Sequence, residues 1–89
     1  MARVVFTQQL RRFTDAPEVD SAAATLRGAL EDAFARTPKL RGYILDDQGH
    51  LRKHVVVFID GRRVRDYARL DDALEAGSEV HVMQALTGG

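Results

Sequence analysis

Two periods of apolar spacing divide this chain, and the changes from one to the other mark its elements. Residues 3–7, Arg3-Val4-Val5-Phe6-Thr7, are rich in β-branched and aromatic side chains and predict a first strand. Residues 8–13 read as its continuation or as an exposed connection. Thr14-Asp15-Ala16-Pro17 is turn chemistry, and Glu18, Val19 and Asp20 predict a short strand returning beside the first. The spacing then becomes helical. Leu26, Ala29, Leu30, Ala33 and Phe34 fall at i, i+3, i+4, i+7 and i+8 and draw one apolar stripe. Asp20 or Ser21 is the expected N-cap, and Asp32 and Arg36 stand four apart on the outer face. Gly28 weakens this helix by about 1 kcal/mol relative to alanine. Pro38 ends it by pushing Thr37 out of the α region.

Strand spacing returns in the second half. Tyr43-Ile44-Leu45 predicts a strand, Asp46-Asp47-Gln48-Gly49 a turn, and residues 51–59 a longer strand. Asp60-Gly61 is a hairpin signal, so residues 62–65 are expected to pair back on that strand. Leu70, Leu74 and Gly77 predict one or two helical turns with a glycine stop. A final strand is expected from Glu79 to about Ala85. One long helix with about five short strands makes an α+β domain, a mixed sheet covered on one face by the helix. Alternation then assigns faces. If Val55, Val57, Ile59, Val80 and Val82 face the helix, then Val56, Phe58, His81 and Met83 lie on the open face. An apolar patch there, with Leu86 nearby, reads as a partner-docking site.

Composition narrows the function. The chain has 89 residues, no cysteine and a formal net charge of zero. That is one modest core, with no global field to draw nucleic acid or an acidic membrane. Disulfides, thiolate metal sites and cysteine nucleophiles are excluded. No apolar run approaches the ~20 residues of a membrane span, and residues 1–7 contain no signal-peptide pattern; a cytoplasmic location is expected. His50 and His54 are four apart, which along a strand is about 13 Å and too far to share one metal ion, so no metal site is expected. Arg62, Arg63, Arg65 and Arg69 are interleaved with Asp60, Asp66, Asp71 and Asp72, a solvated charged surface that steers a protein partner better than it fits nucleic acid. The paired aspartates read as turn and cap residues, and no phosphate loop of the usual spacing occurs. The chain does not read as an autonomous enzyme.

It ends in Leu86-Thr87-Gly88-Gly89. Glycine has no Cβ, so such a tail fits a groove too narrow for other residues. The four residues after Ala85 reach roughly 14 Å at about 3.5 Å each, enough to carry a terminal carboxylate into another protein. This gives a domain at residues 1–85 and a flexible tail at 86–89. Three segments of the sequence together resemble the MoaD/ThiS ubiquitin-like sulfur carriers: residues 55–61 (Val-Val-Val-Phe-Ile-Asp-Gly), residues 70–80 (Leu-Asp-Asp-Ala-Leu-Glu-Ala-Gly-Ser-Glu-Val) and residues 83–89 (Met-Gln-Ala-Leu-Thr-Gly-Gly). The pattern departs from that family at Asp60 for the usual asparagine, Ser78 for the usual aspartate and Gln84 for the frequent proline.

The resemblance implies a β-grasp fold with the first and last strands parallel and central. It also implies a carrier chemistry performed on Gly89. A ubiquitin-activating-like adenylyltransferase, using ATP and magnesium, would convert the Gly89 carboxylate to an acyl-adenylate. A persulfide enzyme would then supply sulfur to give a thiocarboxylate, and an acceptor enzyme of molybdopterin, cysteine, methionine or thiamin synthesis would consume it. The carrier itself holds no cofactor and is at most a non-catalytic subunit, as in molybdopterin synthase. Its long residue 40–54 segment is closer to the molybdopterin-type and cysteine-type carriers than to compact thiamin ones. Gly88, Thr87 and Leu86 would supply the slim tail, and Val56, Phe58, His81 and Met83 the docking surface. The alternatives are a ubiquitin-like modifier joined to lysines through Gly89 and a plain β-grasp interaction module.

Overall fold

The computed structural model describes residues 1–7 and 18–84. Its strands are β1 (Ala2–Phe6), β2 (Glu18–Ser21), β3 (Val55–Ile59), β4 (Arg62–Arg63) and β5 (Glu79–Gln84), and its helices α1 (Leu26–Arg36) and α2 (Lys39–Ile44). The strands form one mixed sheet in the order β2-β1-β5-β3-β4. β1 and β5 run parallel, with Arg3 opposite Glu79 and Phe6 opposite Val82. Every other pairing is antiparallel. The last strand is thus the middle one, bonded on both sides. The expected continuation at residues 8–13, the turn at Thr14–Pro17, Ala85 and the tail at 86–89 lie outside the described residues.

Burial follows the alternation. Val4, Phe6, Val19, Val55, Val57, Ile59, Val80 and Val82 are buried on one face of the sheet. Against them lie Leu26, Ala29, Leu30, Ala33 and Phe34, the full apolar stripe of α1. Arg41 of α2 sits over the Phe34 ring at 5.3 Å and pairs with Glu31, tying the second helix to the first.

α1 begins later than the N-cap signal at Asp20 or Ser21 implied. Both residues belong to β2, where Val19 and Ser21 point inward. The Ser21 hydroxyl donates to Asp32 Oδ2 at 2.5 Å and accepts from the Ala23 N–H, so its capping chemistry joins β2 to the helix side instead. Thr25 is the N-cap, its hydroxyl accepting from the Gly28 N–H. The Leu26 and Arg27 N–H groups donate to the Asp72 and Leu70 carbonyls. The Leu26, Arg27 and Gly28 N–H groups, which a helix start leaves without intrahelical partners, are thus all satisfied, and the Ala29 N–H makes the first bond of the helix itself, to the Thr25 carbonyl.

That capping explains a second difference. No helical turn forms around Leu70 and Leu74. Leu70 takes a left-handed φ of 56°, Ala73 bridges to Thr25, and the Leu74 N–H donates to the Ala24 carbonyl. The segment is an extended strap over the start of α1, and Gly77 (φ 85°) serves a turn, not a helix stop. Tyr43-Ile44-Leu45 likewise is not a strand. Leu40 and Ile44 are one helical turn apart and buried, and Pro38 starts the helix that carries them. Residues 51–54 are not part of β3 either. Leu51 bridges to Leu45, and its N–H donates to the Tyr67 carbonyl, so these residues are spent on neighbouring loops and the strand starts at Val55.

The hairpin forms, but its return strand is Arg62–Arg63, shorter than the residues 62–65 expected. Asp60 and Gly61 both have positive φ, 50° and 84°, the requirement of a tight I′ turn. Asp60 also accepts the Glu79 N–H on Oδ1, so the aspartate holds the turn to the start of β5. Ser78, buried, accepts the Glu75 N–H on its hydroxyl and closes the turn around Gly77.

Candidate docking face and the root of the tail

β5 decides what the open face displays. Because β1 and β3 flank it, residues of all three strands come into register on the side away from α1. His81 stands opposite Val5 on one side and Phe58 on the other, and Phe58 in turn stands opposite Arg63. Met83 stands opposite Val56 in the next row. The structure therefore places Val56, Phe58, His81 and Met83 together, as cross-strand neighbours on one surface. They are half-buried, not fully exposed, since cross-strand partners on a pleated face shield one another. Val5 belongs to the same patch and was missed from sequence. Its signal was the parallel pairing of first and last strands that the resemblance implied, which sets Val5 beside His81.

Charge frames this patch unequally. On the β2 side, Arg3 lies 3.5 Å from Glu18 and 3.8 Å from Asp20. Glu79 stands opposite Arg3, and its carboxylate is 3.9 Å from His81 Nε2. On the β4 side lie Arg63 and, beyond the start of β3, a groove lined by His50, Arg52, Lys53, His54 and Arg65 with Asp46 and Asp66. Both aspartates work on the backbone. Asp46 Oδ1 accepts from the His50 and Gln48 N–H groups, and Asp66 Oδ1 from the Arg69 and Ala68 N–H groups. These bonds hold both carboxyls below their ordinary value of 3.8, the His50 amide dominating at Asp46 and the Arg69 amide at Asp66.

The distance argument that separated His50 from His54 assumed a strand through residues 51–54, which does not form; both line this groove. Among the described residues no cluster of three or more His, Asp or Glu is placed to hold a metal ion. Nor is any helix among them long and apolar enough to cross a membrane.

Gln84, the last described residue, pairs with Val55. Beside it is a shallow groove of Gly42, Tyr43, Arg52 and His54, with the Tyr43 and His54 rings edge to face at 6.0 Å. Leu86, Thr87, Gly88 and Gly89 follow and lie outside the described residues. The last described strand residue, Gln84, thus stands next to Met83 of the apolar patch.

The ThiS family model matches residues 4–89 of the chain. No curated protein matches it in sequence. Among solved structures, SAMP1 of Haloferax volcanii is 24% identical with a TM-score of 0.80, the alignment covering 99% of this chain and 98% of that one. A chain of the BexX/CysO complex of Amycolatopsis orientalis is 20% identical with a TM-score of 0.85 and full coverage, 100% of each. CysO of Mycobacterium tuberculosis is 22% identical with a TM-score of 0.82, covering 97% of this chain and 100% of that one. These likenesses are of fold, and the fold is the ubiquitin-like β-grasp expected from the sequence.

Proposed function

The chain belongs to the ThiS family, and from that premise we propose that it is a sulfur carrier whose working group is the Gly89 carboxyl. The observation that carries this reading is the family match running through the final glycine. A terminal carboxylate, with a pKa of about 3.5, is ionised at neutral pH and is a poor acyl electrophile. An adenylyltransferase of the ubiquitin-activating type removes that obstacle. A carboxylate oxygen of Gly89 attacks the α-phosphorus of magnesium-bound ATP, pyrophosphate leaves, and an acyl-adenylate forms. The terminal sulfur of a persulfide then attacks the acyl carbon and AMP leaves. A thiol reduces the resulting acyl disulfide to the thiocarboxylate, itself becoming a disulfide. An acceptor enzyme consumes that sulfur. This chain's part is binding and presentation: Leu86, Thr87 and Gly88 lead the carboxyl outward, and Val56, Phe58, His81 and Met83 seat the partner.

Intact-mass measurement of the full chain tests this directly. With ATP, magnesium and the source organism's activating enzyme, an AMP ester is expected on Gly89. Adding a persulfide donor and a thiol exchanges one oxygen for sulfur. A chain that acquires neither change rejects the reading.

A second reading, a modifier joined to lysine amines through the same activated carboxyl, is favoured by the likeness to the small archaeal modifier protein 1 of H. volcanii. Branched Gly-Gly–lysine peptides in cell digests distinguish it from the carrier. A plain interaction module is excluded if deletion of Gly89 abolishes function.

A further inference from the structure

We propose that the β3–β4 side of the open face is a docking surface for an acidic segment of a protein partner. The proposal rests on the docking reading of that face and names the chemistry that fits it. Although the chain is neutral overall, the stretch from His50 to Arg69 carries Arg52, Lys53, Arg62, Arg63, Arg65 and Arg69 against Asp60 and Asp66 alone. Among the described residues none of these cations is in a salt bridge: the ion pairs are at Arg3, Arg41 and His81. Asp46 attracts Arg52 and Asp66 attracts Arg69 without ion-pair contact. The local acids are committed elsewhere: Asp60 Oδ1 to the Glu79 N–H, and Asp46 and Asp66 to the backbone amides of their own turns.

Strand alternation sorts the arginines. Arg62 stands opposite the buried Ile59, on the helix side, and lines a groove with Asp72 whose rim Arg63 and Arg65 share. Arg63 stands opposite Phe58 and turns to the open face. The basic side is therefore continuous with the apolar patch through one cross-strand pair. The β2 side of the same face is acidic, with Glu18, Asp20 and Glu79 grouped around Arg3. A partner presenting acid beside an apolar anchor fits in one orientation and meets like charge in the reverse one. Nucleic acid fits less well. The chain carries no net positive charge, and Phe58 is the single phenylalanine, tyrosine or tryptophan of the patch, too few platforms for a run of stacked bases.

The probe is a short peptide alternating glutamate and leucine, titrated into the isotopically labelled full chain and followed by backbone amide resonances. Shifts are expected at Arg52, Lys53, Phe58, Arg63 and Arg65. The double variant Arg63→Glu/Arg65→Glu should weaken binding about tenfold or more, and Arg63→Gln/Arg65→Gln by less. Raising salt from about 0.05 to about 0.5 M should weaken the wild type and leave the reversed variant little changed. Native amide spectra of both variants establish that they fold. No peptide-induced shifts, or equal binding by the reversed chain, overturns the proposal. Tighter binding of a single-stranded RNA oligonucleotide to the same amides overturns it in favour of nucleic acid. A chain lacking Gly89 should bind the peptide normally, so failure here and failure of adenylation are separate results.

Discussion

Gly28 shows how a residue can be right in place and misread in cost. On propensity alone, alanine there should stabilise α1 by about 1 kcal/mol. A Cβ at this position would lie 2.8 Å from the Ala23 Cβ, which is fixed to the backbone entering the helix. Overpacking of that kind costs about 1–3 kcal/mol, so Gly28→Ala is expected to lower stability in chemical unfolding. Asp46 and Asp66 make a pH prediction at the same scale. Their carboxyls are depressed below 3.8 by backbone amides. Their contribution to stability is therefore complete above the ordinary carboxylate value and is lost as pH falls through the depressed folded values. The stability difference between wild type and Asp46→Ala/Asp66→Ala should be constant from neutrality down to about pH 5 and shrink below about pH 4. Melting curves across that range check the sign.

Elements were legible where one period ran long enough. The stripe of α1 and the alternation of β3 and β5 could be read directly, because each buries one face against the other. The Asp60-Gly61 turn was equally readable, since its positive φ values demand those residue types. Three short segments were not. Tyr43, Ile44 and Leu45 are β-formers, yet Pro38 and the Leu40–Ile44 spacing place most of them in α2. Leu70 and Leu74 have helical spacing, yet their backbone is consumed in capping α1. Asp20 and Ser21 are good caps, yet β2 takes both. For the strap and for β2, bonds to other elements outweighed the local preference; for α2, the burial of Leu40 and Ile44 on one helical face did.

Arg27 is the residue through which the loops and α1 depend on one another. Its guanidinium donates to the Gly49, Ala68 and Arg69 carbonyls, joining two loops to the first turn of the helix. Arg27→Met keeps much of the packing and removes the donors. It is expected to cost about 1–3 kcal/mol and to speed amide exchange around Gly49 and Leu70 while leaving β1, β3 and β5 protected.

At the level of the whole molecule, the sheet separates the core from the proposed docking face by a single residue step. Val57 is fully buried on the helix face, and Phe58 is half-buried on the other. Val57→Asp should unfold the domain, because an unpaired charge would sit in the core. Phe58→Asp should leave the melting temperature within a few degrees of wild type. It should abolish capture of the activating enzyme in a pull-down. Of the candidate site, the patch was readable from alternation, and Val5 and Arg63 were not, because membership depended on which strands become neighbours. No property of the strands taken singly carries that information.

The parallel pairing of β1 with β5 has a mechanical consequence. Met1 and Gln84 leave that strand pair at opposite ends, so tension applied between them runs along the strands and loads their hydrogen bonds together, in shear, instead of peeling them one at a time. An enzyme that tugs on the glycine end pulls on the middle strand, gripped from both sides, and the scaffold should hold while the tail is drawn taut.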